Sequence, residues 1–239
     1  MKTTREVKEG CHSRIETFKY SQVLLIPMII EHIDKHYLEK QGNKKARNGK
    51  LYVSEVGKCP RQIYFEFKGY ETEKRKPEVQ RALETGDKFH QRMMAALYAC
   101  PNIEVVASEV DIPPNEFISG RVDAIVAVDD QNYVLELKSI GSYGFKLLDE
   151  PRLEHVHQLQ LYMHFFKIPQ GILLYENKDN HQLKEFDISY DDELAESIIA
   201  KLQQVMNDIR ADEMPPKPNL TRDLEWRCRC CGFRASCNS

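Results

Sequence analysis

Three charged side chains stand at a spacing that two neighbouring strands could bring together. They are Asp123 in Gly120-Arg121-Val122-Asp123, and Glu136 and Lys138 in Leu135-Glu136-Leu137-Lys138. Side chains alternate along a strand, so Glu136 and Lys138 share one face while Leu135 and Leu137 take the other; Asp123 shares its face with Arg121 and Ile125. Two such carboxylates can hold Mg2+ or Mn2+, which neutralises phosphoryl oxygens and activates a water. A lysine two residues beyond the second carboxylate can orient or deprotonate that water, with no covalent intermediate. These are the requirements of phosphodiester hydrolysis. An isolated E-x-K, however, more often marks a solvated pair on an amphipathic strand, so the reading depends on what else the chain places nearby.

Two further signals bear on it. His90 falls in phase with apolar residues of a helix that must pack on the sheet. A lone histidine there is usually a satisfied core residue, but beside two carboxylates it is a third candidate metal ligand. Gln158 and Tyr162 are four apart and share a helix face, from which they could bond the substrate backbone or orient the lysine. His155 and His157 are two apart, point in different directions, and are read as surface residues or as supports for the site.

A second constellation lies in the tail, where Cys228, Cys231 and Cys237 form Cys-x2-Cys-x5-Cys. Three thiolates need a fourth to complete a tetrahedral zinc site or an iron-sulfur cluster. Cys11, Cys59, Cys100 and Cys230 are the candidates. Cys59, opening a helix as Cys59-Pro60-Arg61, is the choice, since Cys100 reads as a buried small hydrophobe and Cys230 adjoins a presumed ligand. Such a site closes a loop of about 170 residues, stapling two distant segments together. Spacing alone does not separate zinc from a 4Fe-4S cluster.

The elements that must position these residues are legible in the hydrophobic pattern. A helix is expected over 13–40, followed by a basic segment, 41–50, that is either a solvated loop or a phosphate contact. A second helix is expected over 79–99, with Val79, Leu83, Gly86, Met93 and Leu97 near one face. Runs 104–112, 117–128 and 133–139 predict a three-strand meander; 153–166 predicts a helix, 171–176 and 182–188 a hairpin, and 191–212 a long helix. Met214-Pro215-Pro216-Lys217-Pro218 then stops regular structure. The order implies a mixed sheet with helices on both faces. We read 1–50 as an N-terminal helical extension and 51–239, with the cysteine segment 214–239, as one catalytic domain.

Composition agrees with an ordinary globular chain: 41% hydrophobic and 30% charged residues leave no low-complexity stretch. The net charge of -3 decides nothing about nucleic acid, which responds to local patches. The longest apolar run, Val23 to Ile30, contains Pro27 and is far short of the roughly 20 residues a bilayer needs. A cytoplasmic protein without membrane contact is expected, and seven cysteines in a reducing compartment argue against a disulfide framework.

The ordered series Cys59-Pro60-Arg61, Gly86 to His90, Gly120 to Asp123, Glu136-Leu137-Lys138, Gln158 to Tyr162, then Cys228, Cys231 and Cys237 resembles the RecB-like PD-(D/E)XK exonucleases that carry an iron-sulfur cluster. That family includes CRISPR-adaptation exonucleases and the nuclease domain of AddB helicase-nucleases. The similarity runs from Ser54 to Cys237. It implies a restriction-endonuclease-like α/β fold and a metal-dependent DNA nuclease, acting as an exonuclease on single strands. It implies His90, Asp123, Glu136 and the Leu137 carbonyl as metal ligands, Lys138 serving the water, and Gln158 and Tyr162 completing the site. It also implies a 4Fe-4S cluster on Cys59, Cys228, Cys231 and Cys237, joining N-terminal and C-terminal segments. Residues 1–50 fall outside it, and no G-x-x-x-x-G-K-[ST] loop appears. Two rivals stand beside it. A DNA glycosylase would need a nearby upstream cysteine, where Thr221 stands instead, and a helix-hairpin-helix. A zinc-ribbon-tailed adaptor would use the sheet as scaffold only.

Overall fold

The computed structural model describes residues 28–41, 48–218 and 222–238. Within them, α1 (Met28–Lys40) is followed by β1 (Leu51–Tyr52), a 3-10 turn, α2 (Pro60–Lys68) and α3 (Pro77–Ala99). Then come β2 (Glu104–Asp111), β3 (Ile118–Ser119), β4 (Arg121–Val128), β5 (Gln131–Ile140) and α4 (Ser142–Lys146). The chain continues through α5 (Leu153–Phe166), β6 (Gln170–Asn177), β7 (Leu183–Ser189), α6 (Asp192–Ala211), α7 (Arg222–Arg229) and α8 (Arg234–Asn238).

Five strands form one mixed sheet in the order β2-β4-β5-β6-β7. The meander β2-β4-β5 is antiparallel, β5 and β6 are parallel, and β6 and β7 form a hairpin. A parallel step needs a crossover, and α5 lies within it. On one face Phe89 and Met93 of α3 pack on Ala124, Val126, Leu135 and Leu137. On the other, Leu159, Leu161 and Met163 of α5 and Ile198, Leu202 and Met206 of α6 join Val134, Leu173 and Tyr175. Burying each such side chain is worth ~1.5–3 kcal/mol, which seats α5 firmly on the sheet.

Several expectations need correction. The run read as one strand over 117–128 is interrupted at Gly120: Ile118 and Ser119 pair in parallel with Leu51 and Tyr52 in a separate two-stranded sheet. A Cβ at Gly120 would lie 2.6 Å from Val53 Cγ2, so the break occurs where the chain runs hard against the turn after β1. The apolar face read along 79–99 buries only its C-terminal half; Val79 and Leu83 are exposed because α3 extends beyond the sheet it covers. Residues 13–27 of the expected first helix, and 42–47 of the basic segment, lie outside the described residues. The described part of that helix, α1, meets α3 through polar contacts, with Tyr37 Oη and Lys40 Nζ donating to Glu84 and Arg81 donating to Asp34. Lys50 donates to the carbonyl of Asn115. Among the described residues, no helix is long and apolar enough to cross a membrane.

Gly171 fixes how closely α5 approaches the sheet: a Cβ there would stand 2.9 Å from Leu159 Cγ and Cδ2 and from Met163 Sδ. Gly171→Ala is expected to lower stability by about 1–3 kcal/mol through overpacking. Urea unfolding measures this as a lower midpoint at unchanged slope, and a parental midpoint would contradict the packing described.

Candidate active site

The ladder between β4 and β5 runs from Val128↔Gln131 to Ala124↔Leu135 and goes no further. Beyond that point β4 pairs only with β2, through Val122↔Val110 and Arg121↔Asp111. The amide of Leu137 therefore finds a side chain instead of a neighbouring strand, donating to Asp123 Oδ2 at 2.7 Å. This parting of two strands brings Asp123 and Glu136 to the same place. It also lets a residue from α3 reach them: His90 Nδ1 lies 3.1 Å from Asp123 Oδ1.

From the other face, α5 supplies Gln158, whose Nε2 donates to Glu136 Oε1 at 2.7 Å. Lys138 Nζ donates to the same Glu136 oxygen at 2.6 Å and to Gln158 Oε1 at 3.0 Å. Glu136, Lys138 and Gln158 form a closed triangle in which the amide fixes the ammonium. Tyr162, one turn further along α5, donates to the carbonyl of Arg121 at 2.8 Å, so its hydroxyl holds β4. All of His90, Asp123, Glu136, Leu137, Lys138, Gln158 and Tyr162 thus meet in one region. For Leu137 the described contact is through its amide.

Glu136 Oε2 is buried and has no hydrogen-bond partner. The contrast is Glu176 on the neighbouring strand, equally buried at 3% exposure but held by Arg92 and by His181 Nδ1 at 3.1 Å. An unpaired buried carboxylate oxygen is costly unless something cationic completes it. Burial pushes the Glu136 carboxyl up to about 7, opposed by the nearby Lys138 charge and reinforced by Asp123. For His90, burial acts to lower the imidazole, but the hydrogen bond and charge of Asp123 outweigh it and raise it. Among the described residues, no three His, Cys, Asp or Glu donors converge as a ready metal-binding group. Here Asp123 is occupied by His90 and the Leu137 amide. The donor types and the unpartnered Oε2 nevertheless fit a hard divalent cation, whose binding would compete with the proton on His90.

The cysteine region forms because the chain after α6 runs back along α2. Asp212 accepts from Tyr64 at 3.2 Å and pairs with Lys68, and Arg61 Nε donates to Pro215 O at 2.7 Å. Phe233 stacks on Phe65 with centroids 5.7 Å apart, and Glu73 N donates to Gly232 O at 2.9 Å. As a result Cys59, at the N-terminus of α2, joins Cys228, Cys231 and Cys237 around one cavity of about 780 Å³. Burial, and then the charges of the other three thiols, push the Cys231 thiol up. Four thiols around one cavity are a donor set that suits a cluster or a zinc ion. Cys230 is exposed, in keeping with its reading as a bystander.

The sequence reading left out Tyr175. It is the register partner of Lys138 on β6, fully buried, and its hydroxyl meets His155 Nδ1 at 2.8 Å. His155 and His157 do diverge: Lys138 is the charge bearing most on His155, and Lys201 of α6 the one bearing most on His157. Both are half-buried.

Comparison with known proteins matches residues 68–238 to the PD-(D/E)XK nuclease superfamily. A CRISPR-associated exonuclease Cas4 from Saccharolobus solfataricus is 28% identical over 215 residues, covering 88% of this chain and 98% of that protein. The crystal structure of SSO0001 is 25% identical with a TM-score of 0.55, over 87% of this chain and 95% of that one. An alkaline exonuclease from Laribacter hongkongensis, 16% identical with a TM-score of 0.54 over 76% and 93% of the two chains, shares the fold.

Glu136 and His90 both bind protons more tightly folded than unfolded. For Glu136 the native state keeps its proton up to about 7 while the unfolded carboxyl releases it near 4.5, so stability falls as pH rises through that window; His90 adds a slope of the same sign. In chelator, Glu136→Gln is expected to be more stable than the parent above pH 7, by ~3 kcal/mol, with the gap closing on acidification. Thermal melts across the pH range measure it; a variant that is less stable at alkaline pH would contradict the assigned burial cost.

Proposed function

Since the chain belongs to the PD-(D/E)XK nuclease superfamily, we propose that it is a metal-dependent deoxyribonuclease whose site is built from His90, Asp123, Glu136, Leu137, Lys138, Gln158 and Tyr162. The observation that carries this is the buried, unpartnered Oε2 of Glu136 beside Asp123 and Lys138. His90, Asp123, Glu136 and the Leu137 carbonyl would hold Mg2+ or Mn2+. That ion supplies charge neutralisation at the phosphoryl oxygens and lowers the pKa of a bound water.

The protein groups then divide the remaining work. Lys138, held by Gln158 Oε1, orients the attacking water and offsets charge that develops on the phosphate. Gln158 keeps the ammonium and the Glu136 carboxylate in register. Tyr162 acts through the backbone of Arg121, fixing β4 and hence the position of Asp123. The finer reading is an exonuclease acting at DNA ends, with single strands preferred; the likeness to a protein named as an exonuclease over 98% of its length supports the exonuclease part of it. The catalytic domain is 51–239, with 1–50 appended.

We assign a 4Fe-4S cluster to Cys59, Cys228, Cys231 and Cys237, supported by their shared cavity. Protein purified without oxygen is expected to absorb broadly in the visible and to contain iron and sulfide, and Cys59→Ser to lose both colour and iron. Colourless protein with stoichiometric zinc would replace the cluster by a zinc site.

The activity itself is tested by digestion of end-labelled single- and double-stranded DNA with Mn2+. Glu136→Ala and Lys138→Ala are each expected to lose at least ~100-fold in rate, the range for removing a group that stabilises developing charge. Cleavage undiminished in both variants would exclude this site.

A further inference from the structure

His155 has no part in the site as assigned, yet its surroundings are specific. It lies three residues before Gln158 and seven before Tyr162, so all three share one face of α5. Its Nδ1 is 2.8 Å from the Tyr175 hydroxyl, with ring centroids 5.5 Å apart. Tyr175 is fully buried and stands opposite Lys138 in the parallel ladder. The same hydroxyl accepts from the Arg152 amide at 3.2 Å. A buried tyrosine proton requires an acceptor, and His155 Nδ1 is the one provided. That choice puts the proton of the neutral imidazole on Nε2, leaving an N–H donor on the side away from Tyr175. His155 is only half-buried, so this donor remains open.

We propose that His155 is a substrate-contacting residue, its Nε2–H donating to a non-bridging phosphate oxygen of the DNA strand beside Lys138. The assignment rests on the deoxyribonuclease reading and extends it to a residue outside the set named above. Burial and the nearby Lys138 charge push the imidazole down to about 3, so it remains neutral and adds a directed donor without adding a second cation next to the lysine. Tyr175 fixes which nitrogen carries the proton, and the Arg152 amide fixes the hydroxyl.

The competing role is internal: His155 could serve only to seat the start of α5 on Tyr175. Asparagine and glutamine separate the two, because Asn places a polar atom near the position of Nδ1 and Gln near that of Nε2. DNA affinity is read by fluorescence anisotropy on a labelled single strand with Ca2+ in place of Mn2+, and kcat/KM with Mn2+; thermal melts establish that each variant is folded. His155→Ala and His155→Asn are expected to lose ~10-fold or more in affinity, the worth of one hydrogen bond to a charged group. His155→Gln is expected to keep most of it. Asn binding like the parent while Gln fails would overturn the assignment in favour of the internal role, and parental binding by all three would overturn it outright. Absence of Mn2+-dependent cleavage by the parent protein would remove the nuclease reading, while the anisotropy series would still decide the phosphate contact.

Discussion

A carboxylate kept from water with one oxygen unpaired is a demand on everything around it. Glu136 sits in the middle strand of the sheet, where both faces are covered, and its ionised form is opposed by that burial. Lys138 and Gln158 satisfy only Oε1. For the second oxygen to face a cation, the neighbouring strand has to withdraw, and β4 does so over the residues that precede Ala124. The same withdrawal frees the Leu137 amide, which locks Asp123 in place. The loss of one ladder contact and the assembly of the acidic pair are thus a single structural event.

The rest of the fold steadies that opening from both sides. α3 covers one face with Phe89 and Met93 and contributes His90. α5 covers the other with Leu159, Leu161 and Met163, and Gly171 lets it come close enough for Gln158 to reach the sheet. Tyr162 ties α5 to β4 on the far side of the gap. Each polar contributor has a buried apolar neighbour on its own helix, Phe89 beside His90, Leu159 beside Gln158, and Leu161 and Met163 beside Tyr162, so positional accuracy at the site is inherited from the two apolar layers.

Much of this could be read from residue order because its causes are local. The meander and the hairpin follow from alternation and turn residues, and the α5 boundaries, Leu153 and Phe166, coincide with the apolar pattern. What escaped notice depends on contacts distant in sequence. Alternation continues smoothly through 117–128, so nothing local marks the change of sheet at Gly120; the cause is Val53. Val79 and Leu83 keep the helical period although no sheet lies beneath them. Tyr175 carries no local signal, because its neighbours are set by the parallel register, for Lys138, and by the packing of α5, for His155. The grouping of Cys59 with the tail thiols was inferred from spacing and elimination, and its physical agent, the return of the chain along α2 through Arg61 and Pro215, has no signature in the spacing.

That return path has a bearing on how the molecule is made. Chains leave the ribosome N-terminus first, so Cys59 emerges well before Cys228, Cys231 and Cys237. The sheet and both helical layers lie between them, so they can form while the thiol pocket still lacks three of its walls. Maturation can consequently be ordered: a nascent chain can acquire its acidic centre first, and only once Cys237 has followed can anything be enclosed by all four sulfurs.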